Sequence, residues 1–270
     1  MVAMKPSLVL WFVVILGVAA CATSPTGRKQ LTLMPNDQMD VMGAKAFQQV
    51  AAETPASKDS ALNGYVSCVA HAITSLPEVQ KENRDWEVVV FDDDTVNAFA
   101  LPGGKIGVYK GMMTAAKTPA QLAAVLGHEV GHVLAHHGNE RVSQQFAVGE
   151  ALDLVNAWMA TGNTGNRQAA MALLGLGAQV GVLLPFSRTQ ESEADTIGQQ
   201  LMAEAGFDPR ESVALWRNMS QAGGGQPPQF LSTHPSNESR IEALSSTLDR
   251  NEDIYRKATS SGRRPQCQAR

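Results

Sequence analysis

The chain predicts an α+β fold that is mostly helical, with a small three-stranded sheet beside one long buried helix. Three observations carry that expectation. β-favouring residues are concentrated between Trp86 and Tyr109. Apolar residues recur at helical spacing through most of the remainder. One of those apolar helical patterns carries His128-Glu129-Val130-Gly131-His132.

Taken in order, the chain opens with Lys5, the apolar run Leu8 to Leu16, and Val18-Ala19-Ala20-Cys21. A basic residue, a short apolar stretch and small residues before a cysteine read as a secretory signal, residues 1–20, cut ahead of a lipidated Cys21. The run is shorter than the ~20 residues a membrane span needs. Ala22, where a retained lipoprotein carries Asp, points to outer-membrane sorting and hence to a periplasmic enzyme held by its lipid anchor. Residues 21–35 read as a lipidated lead-in, irregular from Thr26 to Met34, and residues 36–250 as the main domain. Helices are expected over 36–52 and 58–76. Trp86–Phe91, Val96–Leu101 and Lys105–Tyr109 read as strands, the last two around the turn Pro102-Gly103-Gly104. Further helices are expected over 118–138, 140–160, 167–184, 188–205, 209–221 and 236–248, with Gly223 to Pro228 as a loop and residues 251–270 as a polar tail. Ala169–Leu184 is uncharged, but it is shorter than a span and ends at Pro185, so it reads as buried packing.

The helix over 118–138 carries the chemistry. Thr118 is its expected N-cap, Pro119 its first turn and Gly138 its stop. A helix repeats every ~3.6 residues, so His128 and His132 share a face and can grip one metal ion. Glu129 then lies beside that metal, where it can take a proton from water. Two imidazoles and a carboxylate are costly to bury without a partner, and zinc suits that donor set.

A catalytic zinc site needs a third protein ligand. Ala135 and Gly138 exclude the extended HExxHxxGxxH layout. His136 and His137 are possible ligands, but His136 lies two turns from His128 on the same rod, so both read more readily as residues that cap or flank the helix end. A second helix offers Glu191 and Asp195, four residues apart on one face behind the capping-box pair Ser187 and Gln190, with Glu193 pointing away. Read alone, that acidic turn serves equally well as a complement to the helix dipole.

The motifs Asn97-Ala98-Phe99-Ala100-Leu101-Pro102-Gly103-Gly104, HEVGH, SRTQESEAD and Ser232-Thr233-His234-Pro235 occur in the order of a known family. From about Gly27 to Leu248 the chain resembles the zinc metallopeptidases typified by HtpX, the CaaX prenyl proteases and the periplasmic protease BepA. The resemblance implies a zincin-like domain in which His128, His132 and Glu191 bind one zinc ion and Glu129 is the base. It implies that Asp195 supports the site, and that His234 and Arg240 lie near the open zinc position as stabilisers of the transition state. His234 has a second possible role there, as a fourth ligand that shuts the site. Asn97, Ala98 and Phe99 are expected to bind substrate as an edge to which an unfolded peptide adds a strand.

With Cys21 lipidated, Cys68 and Cys267 form an even pair in an oxidising compartment and are expected to be bridged. A net charge of -4 from 26 acidic and 22 basic residues gives no reason to expect a nucleic-acid partner. The expected partners are unfolded or misfolded polypeptides, the membrane through Cys21, and outer-membrane assembly machinery. The rival expectation is a zinc-stabilised assembly factor with little proteolysis. Glu129 separates the two, because a scaffold needs metal ligands but no base.

Overall fold

The computed structural model describes residues 21–81, 84–147, 186–221, 228–235 and 238–268. The expected signal at 1–20, the helix over 167–184 with its uncharged run, and most of the loop 223–228 lie outside them, as does the expected helix over 140–160 beyond Ala147. The described elements are β1 (Cys21–Thr23), β2 (Lys29–Leu31), α1 (Asn36–Glu53), α2 (Ser60–Thr74), α3 (Pro77–Gln80), β3 (Glu87–Phe91), β4 (Ala98–Leu101), β5 (Lys105–Tyr109), α4 (Pro119–Leu134), α5 (His137–Ala147), α6 (Arg188–Glu204), α7 (Arg210–Gln221), α8 (Gln229–Thr233), α9 (Glu238–Ser246) and α10 (Leu248–Ser260).

The sheet runs in the order β3-β5-β4, with β3 parallel and β4 antiparallel to β5. Its two faces are apolar for different reasons. Ile106, Val108, Val90 and Ala98 join α2 and α4 in the main core. Phe91, Phe99, Leu101 and Tyr109 turn to the other face and pack with Phe47 of α1, the ring centroids 5.4–6.3 Å apart. Gly103 and Gly104 make the tight β4–β5 turn at φ of 81° and 74°, a region closed to most side chains. The α+β architecture with a small sheet beside the HExxH helix is therefore as expected.

Helix α4 begins as its sequence indicates. Thr118 accepts from Gln121 N, and Pro119 occupies the first turn, where no donor is needed. Every side chain from Gln121 to Leu134 is buried, so α4 runs through the middle of the domain with no solvent face. It ends earlier than Gly138. The residue that breaks it is His136, which takes a left-handed φ of 52°, and α5 starts at once at His137. A left-handed non-glycine residue is uncommon, and a reading based on glycine preference misses it.

Two segments are more ordered than expected. The lead-in is a β-hairpin, with Cys21 opposite Leu31 and Gly27 turning the chain at φ 90°. The first half of the C-terminal tail belongs to α10, packed on α6, where Asn251 Nδ2 donates to Gln199 Oε1 at 2.6 Å. Both are polar in sequence because polar contacts, rather than an apolar stripe, hold them. Cys68 and Cys267 are disulfide-bonded with Cα atoms 5.6 Å apart, tying the end of the chain to α2. Among the described residues no helix is long and apolar enough to cross a membrane.

Candidate metal centre

The site exists because α4 and α6 touch backbone to backbone. A Cβ added at Gly127 would lie 2.7 Å from Gly198 O, and one at Gly198 would lie 2.6 Å from His128 N. One turn along, a Cβ at Gly131 would reach 3.0 Å from Ala194 O. No other residue fits at the Gly127–Gly198 crossing without pushing the helices apart. That approach brings the first turn of α6 over the two histidines of α4. The capping box fixes where that turn starts: Ser187 Oγ accepts from Gln190 N, and Gln190 Oε1 accepts from Ser187 N.

Four ligand atoms of His128, His132, Glu191 and His234 lie within 4.8 Å of one another, and all four residues are buried. His128 Nε2 is 3.1 Å from His132 Nε2 and 3.2 Å from His234 Nδ1. Glu191 Oε1 is 3.0 Å from His234 Nδ1 and 3.4 Å from His132 Nε2, while Oε2 is 3.5 Å from His128 Nε2. Three imidazole lone pairs and a carboxylate converging in a buried space repel one another unless a cation sits between them. Nitrogen and oxygen donors in this number match tetrahedral zinc, so the residues fit the metal.

Burial and charge act in opposition here. Burial would raise the Glu191 carboxyl, but His234, Arg240 and the two α4 histidines hold it well below the usual range. Burial likewise pushes His132 well down, keeping it neutral as a ligand must be. His128 feels the same burial, which the Asp195 and Glu191 carboxylates more than reverse. Glu129 is raised, chiefly by burial, against the pull of His234 and His128. It is thus the carboxylate of the site best suited to carry a proton.

Asp195 stands where the face argument puts it, with Oδ1 3.0 Å from His128 Nδ1, a close electrostatic contact rather than an aligned hydrogen bond. Glu193 points the other way, to His137 and the hairpin. Arg240, expected near the open zinc position, lies at the site against its carboxylates. Its Nε and Nη2 donate to the two Asp195 oxygens, both at 2.7 Å, and its Nη1 lies 2.6 Å from Glu191 Oε2. Its guanidinium also stacks 3.8 Å over Trp216. So engaged, Arg240 holds the carboxylates in place from behind.

Asn97, Ala98 and Phe99, expected as a substrate edge that binds through main-chain hydrogen bonds, lie at and beside an edge strand of the sheet. β4 is the edge of the described sheet and lies against α4, and Ala100 N donates to Glu129 Oε2 at 3.2 Å. However, the Phe99 ring belongs to the aromatic core, and Asn97 Oδ1 accepts from Ala98 N at 2.9 Å. All three side chains are buried, which leaves only main chain to meet a peptide.

Sequence reasoning missed His137, set aside above as a flanking residue. It is fully buried, and its Nδ1 lies 2.8 Å from His132 Nδ1. It also missed Phe186, whose ring sits 4.0 Å from that of His132 and 5.3 Å from that of His234. Its position before the capping box, as the residue able to pack back on a following helix, was the available signal.

Comparison with known proteins agrees with this geometry. Residues 60–248 match peptidase family M48. The mitochondrial metalloendopeptidase OMA1 of Arabidopsis thaliana is 40% identical over 177 residues, 65% of this chain and 33% of the relative. That of Schizosaccharomyces pombe is 39% identical over 186 residues, 68% of this chain and 52% of the relative. The beta-barrel assembly-enhancing protease of Escherichia coli is 29% identical over 208 residues, 74% of this chain and 42% of the relative. The chain thus spans about a third to a half of the length of these relatives, which come from both mitochondria and bacteria and choose no branch. With most of the chain matched and a zinc-fitting donor set at its centre, the chain belongs to peptidase family M48, a family of zinc metallopeptidases.

Proposed function

We propose that this chain is a zinc-dependent endopeptidase of the bacterial cell envelope that cleaves misfolded or stalled outer-membrane and periplasmic proteins. His128, His132 and Glu191 hold the metal. The observation that carries the reading is Glu129: among the described residues its buried Oε1 has no hydrogen-bond partner, and it faces His234 Nε2 at 3.4 Å. A structural metal site has no use for a buried, unsatisfied carboxylate at its edge.

Zinc in such a site supplies Lewis acidity, making water acidic enough to lose a proton near neutral pH. Glu129 accepts that proton and returns it to the leaving amine, a role that its burial favours. Ala100 N, hydrogen-bonded to Glu129 Oε2, fixes the base against β4. The outer edge of β4 takes the peptide as an added strand through main-chain bonds, with little demand on its sequence. An unfolded segment can present such a strand and a folded one cannot.

The envelope setting is supported by the signal-like residues before Cys21 and by similarity to beta-barrel assembly-enhancing proteases. Lipid-anchored mature protein, with Cys21 acylated by mass spectrometry, is the expected form; an intact Met1 terminus argues against it. Outer-membrane assembly machinery is the partner proposed on the same similarity.

His234 supports a second, compatible reading as a resting fourth ligand, since its Nδ1 points into the ligand cluster. One assay tests both. Casein should be cleaved by wild type and not after chelation, and Glu129→Gln should lose ~10²–10⁴ of the rate while keeping zinc. Equal cleavage by Glu129→Gln removes the base assignment. His234→Ala should keep zinc and cleave casein faster than wild type if the residue caps the metal at rest, or ~10²–10³ more slowly if it stabilises the transition state; unchanged rate and affinity would take the residue out of the site.

A further inference from the structure

His132 is braced through His137 and Glu193 from the β1–β2 hairpin. Its Nδ1 lies 2.8 Å from His137 Nδ1, and His137 Nε2 lies 3.2 Å from Glu193 Oε2. Glu193 also accepts from Arg28 Nε at 2.7 Å and from Thr26 Oγ1 at 2.5 Å. The terminal nitrogens of Arg28 donate to the two oxygens of Glu140, each at 2.7 Å. Gln190 Nε2 donates to the same Glu140 at 2.9 Å. His132, His137, Glu140 and Glu193 are all buried, so each of these bonds replaces one that water would otherwise make.

The tautomers follow from the bonding, given the ligand set proposed above. His132 turns Nε2 toward His128 and Glu191, so its lone pair is there and its proton is on Nδ1. His137 Nδ1 must then accept that proton's hydrogen bond, which puts the His137 proton on Nε2. Glu193 accepts it. The reverse assignment would place a proton on the very nitrogen that faces the metal.

We infer that His137, Glu193 and Arg28 form a positioning relay that fixes the tautomer and orientation of His132, so that the β1–β2 hairpin is part of the metal centre. Carboxylate-backed histidine ligands are a recurring device of metal sites, and here a second imidazole is inserted between ligand and carboxylate. Arg28 keeps Glu193 charged and aimed, and through Glu140 it binds α5 to α6. The hairpin begins at Cys21, so whatever displaces that segment also loosens a zinc ligand.

The test measures zinc affinity of the purified full-length protein by competition with a chromophoric chelator, together with the absorption bands of the cobalt(II)-substituted protein. His137→Phe keeps a ring and removes both bonds; it should weaken zinc binding ~10–100-fold and shift the cobalt bands. Glu193→Gln and Arg28→Gln should move both readouts the same way by smaller factors. Wild type and His132→Ala check the ligand set itself: a wild type that binds no zinc overturns that set and the relay with it. If wild type binds zinc while the three relay variants stay within about twofold of it, with cobalt bands unmoved, the relay alone is overturned. A lower unfolding temperature of the metal-free variants with unmoved bands counts the same way, because that is what a merely structural role would give. Should His137→Phe fail to fold, the near-isosteric Glu193→Gln decides by the same criteria.

Discussion

The two metal-facing histidines of α4 are supported by arms that share a helix and differ in almost everything else. His128 meets Asp195 directly at 3.0 Å, and Asp195 is gripped by Arg240 from α9, a guanidinium only 5% exposed. His132 reaches Glu193 through the interposed His137, and Glu193 is gripped by Arg28 from the hairpin, whose side chain is 23% exposed. Both carboxylates come from α6, but Asp195 lies one turn after Glu191 and faces His128, whereas the equally buried Glu193 turns to His137 and the hairpin. The short arm is buried throughout, so loss of a partner there strands a charge away from water. The long arm is partly wet, so it can weaken by degrees.

The sharpest break in that comparison is at Glu191, which belongs to neither arm and serves both histidines. Glu191→Ala should abolish zinc retention on dialysis, whereas Glu193→Ala should still hold zinc at high protein concentration. Metal analysis giving the opposite ranking would exchange their roles. Next in size is the difference between the arginines. Arg240→Met strands Asp195 and Glu191 as buried charges and should cost about 3–5 kcal/mol in urea unfolding of the metal-free protein. Arg28→Met leaves Glu193 and Glu140 with other partners and some water, for a cost of about 1–3 kcal/mol. Equal costs would mean that the arms do not differ in burial as drawn here.

The smallest effect is in acid. Burial would raise Glu193, but His137, Ser24, Thr26 and Arg28 hold it below the usual carboxylate range, and Arg28 and Gln190 do the same for Glu140. A depressed folded pKa contributes stability that is complete above the unfolded value of ~4.3 and lost as pH falls below it. The difference in unfolding temperature between wild type and Glu193→Gln should therefore be largest near neutral pH and shrink toward pH ~3. A difference that grows on acidification would contradict the sign.

How much of this was legible in the sequence depends on distance along the chain. Thr118 and Ser187 cap their helices as read, and β5 spans Lys105–Tyr109 as read, since caps, turns and alternation act within a few residues. Glu191 and Asp195 separate from Glu193 by helical phase alone. The helix stop at His136 was not legible, because left-handed backbone is uncommon at any non-glycine residue and nothing in the neighbouring sequence singles out His136 for it.

By itself, then, the sequence determined the kinds of groups in the centre and the helix faces that carry them. Spacing and periodicity are properties of neighbours, and they survive any rearrangement of the rest. Tertiary structure alone decided what each group touches. It turned Arg240 onto Asp195 across 45 residues, joined His234 to His128 across 106, and brought Arg28 to Glu193 across 165. Contacts at such separations leave no local pattern, and neither does the close approach of α4 and α6 that Gly127 and Gly198 allow.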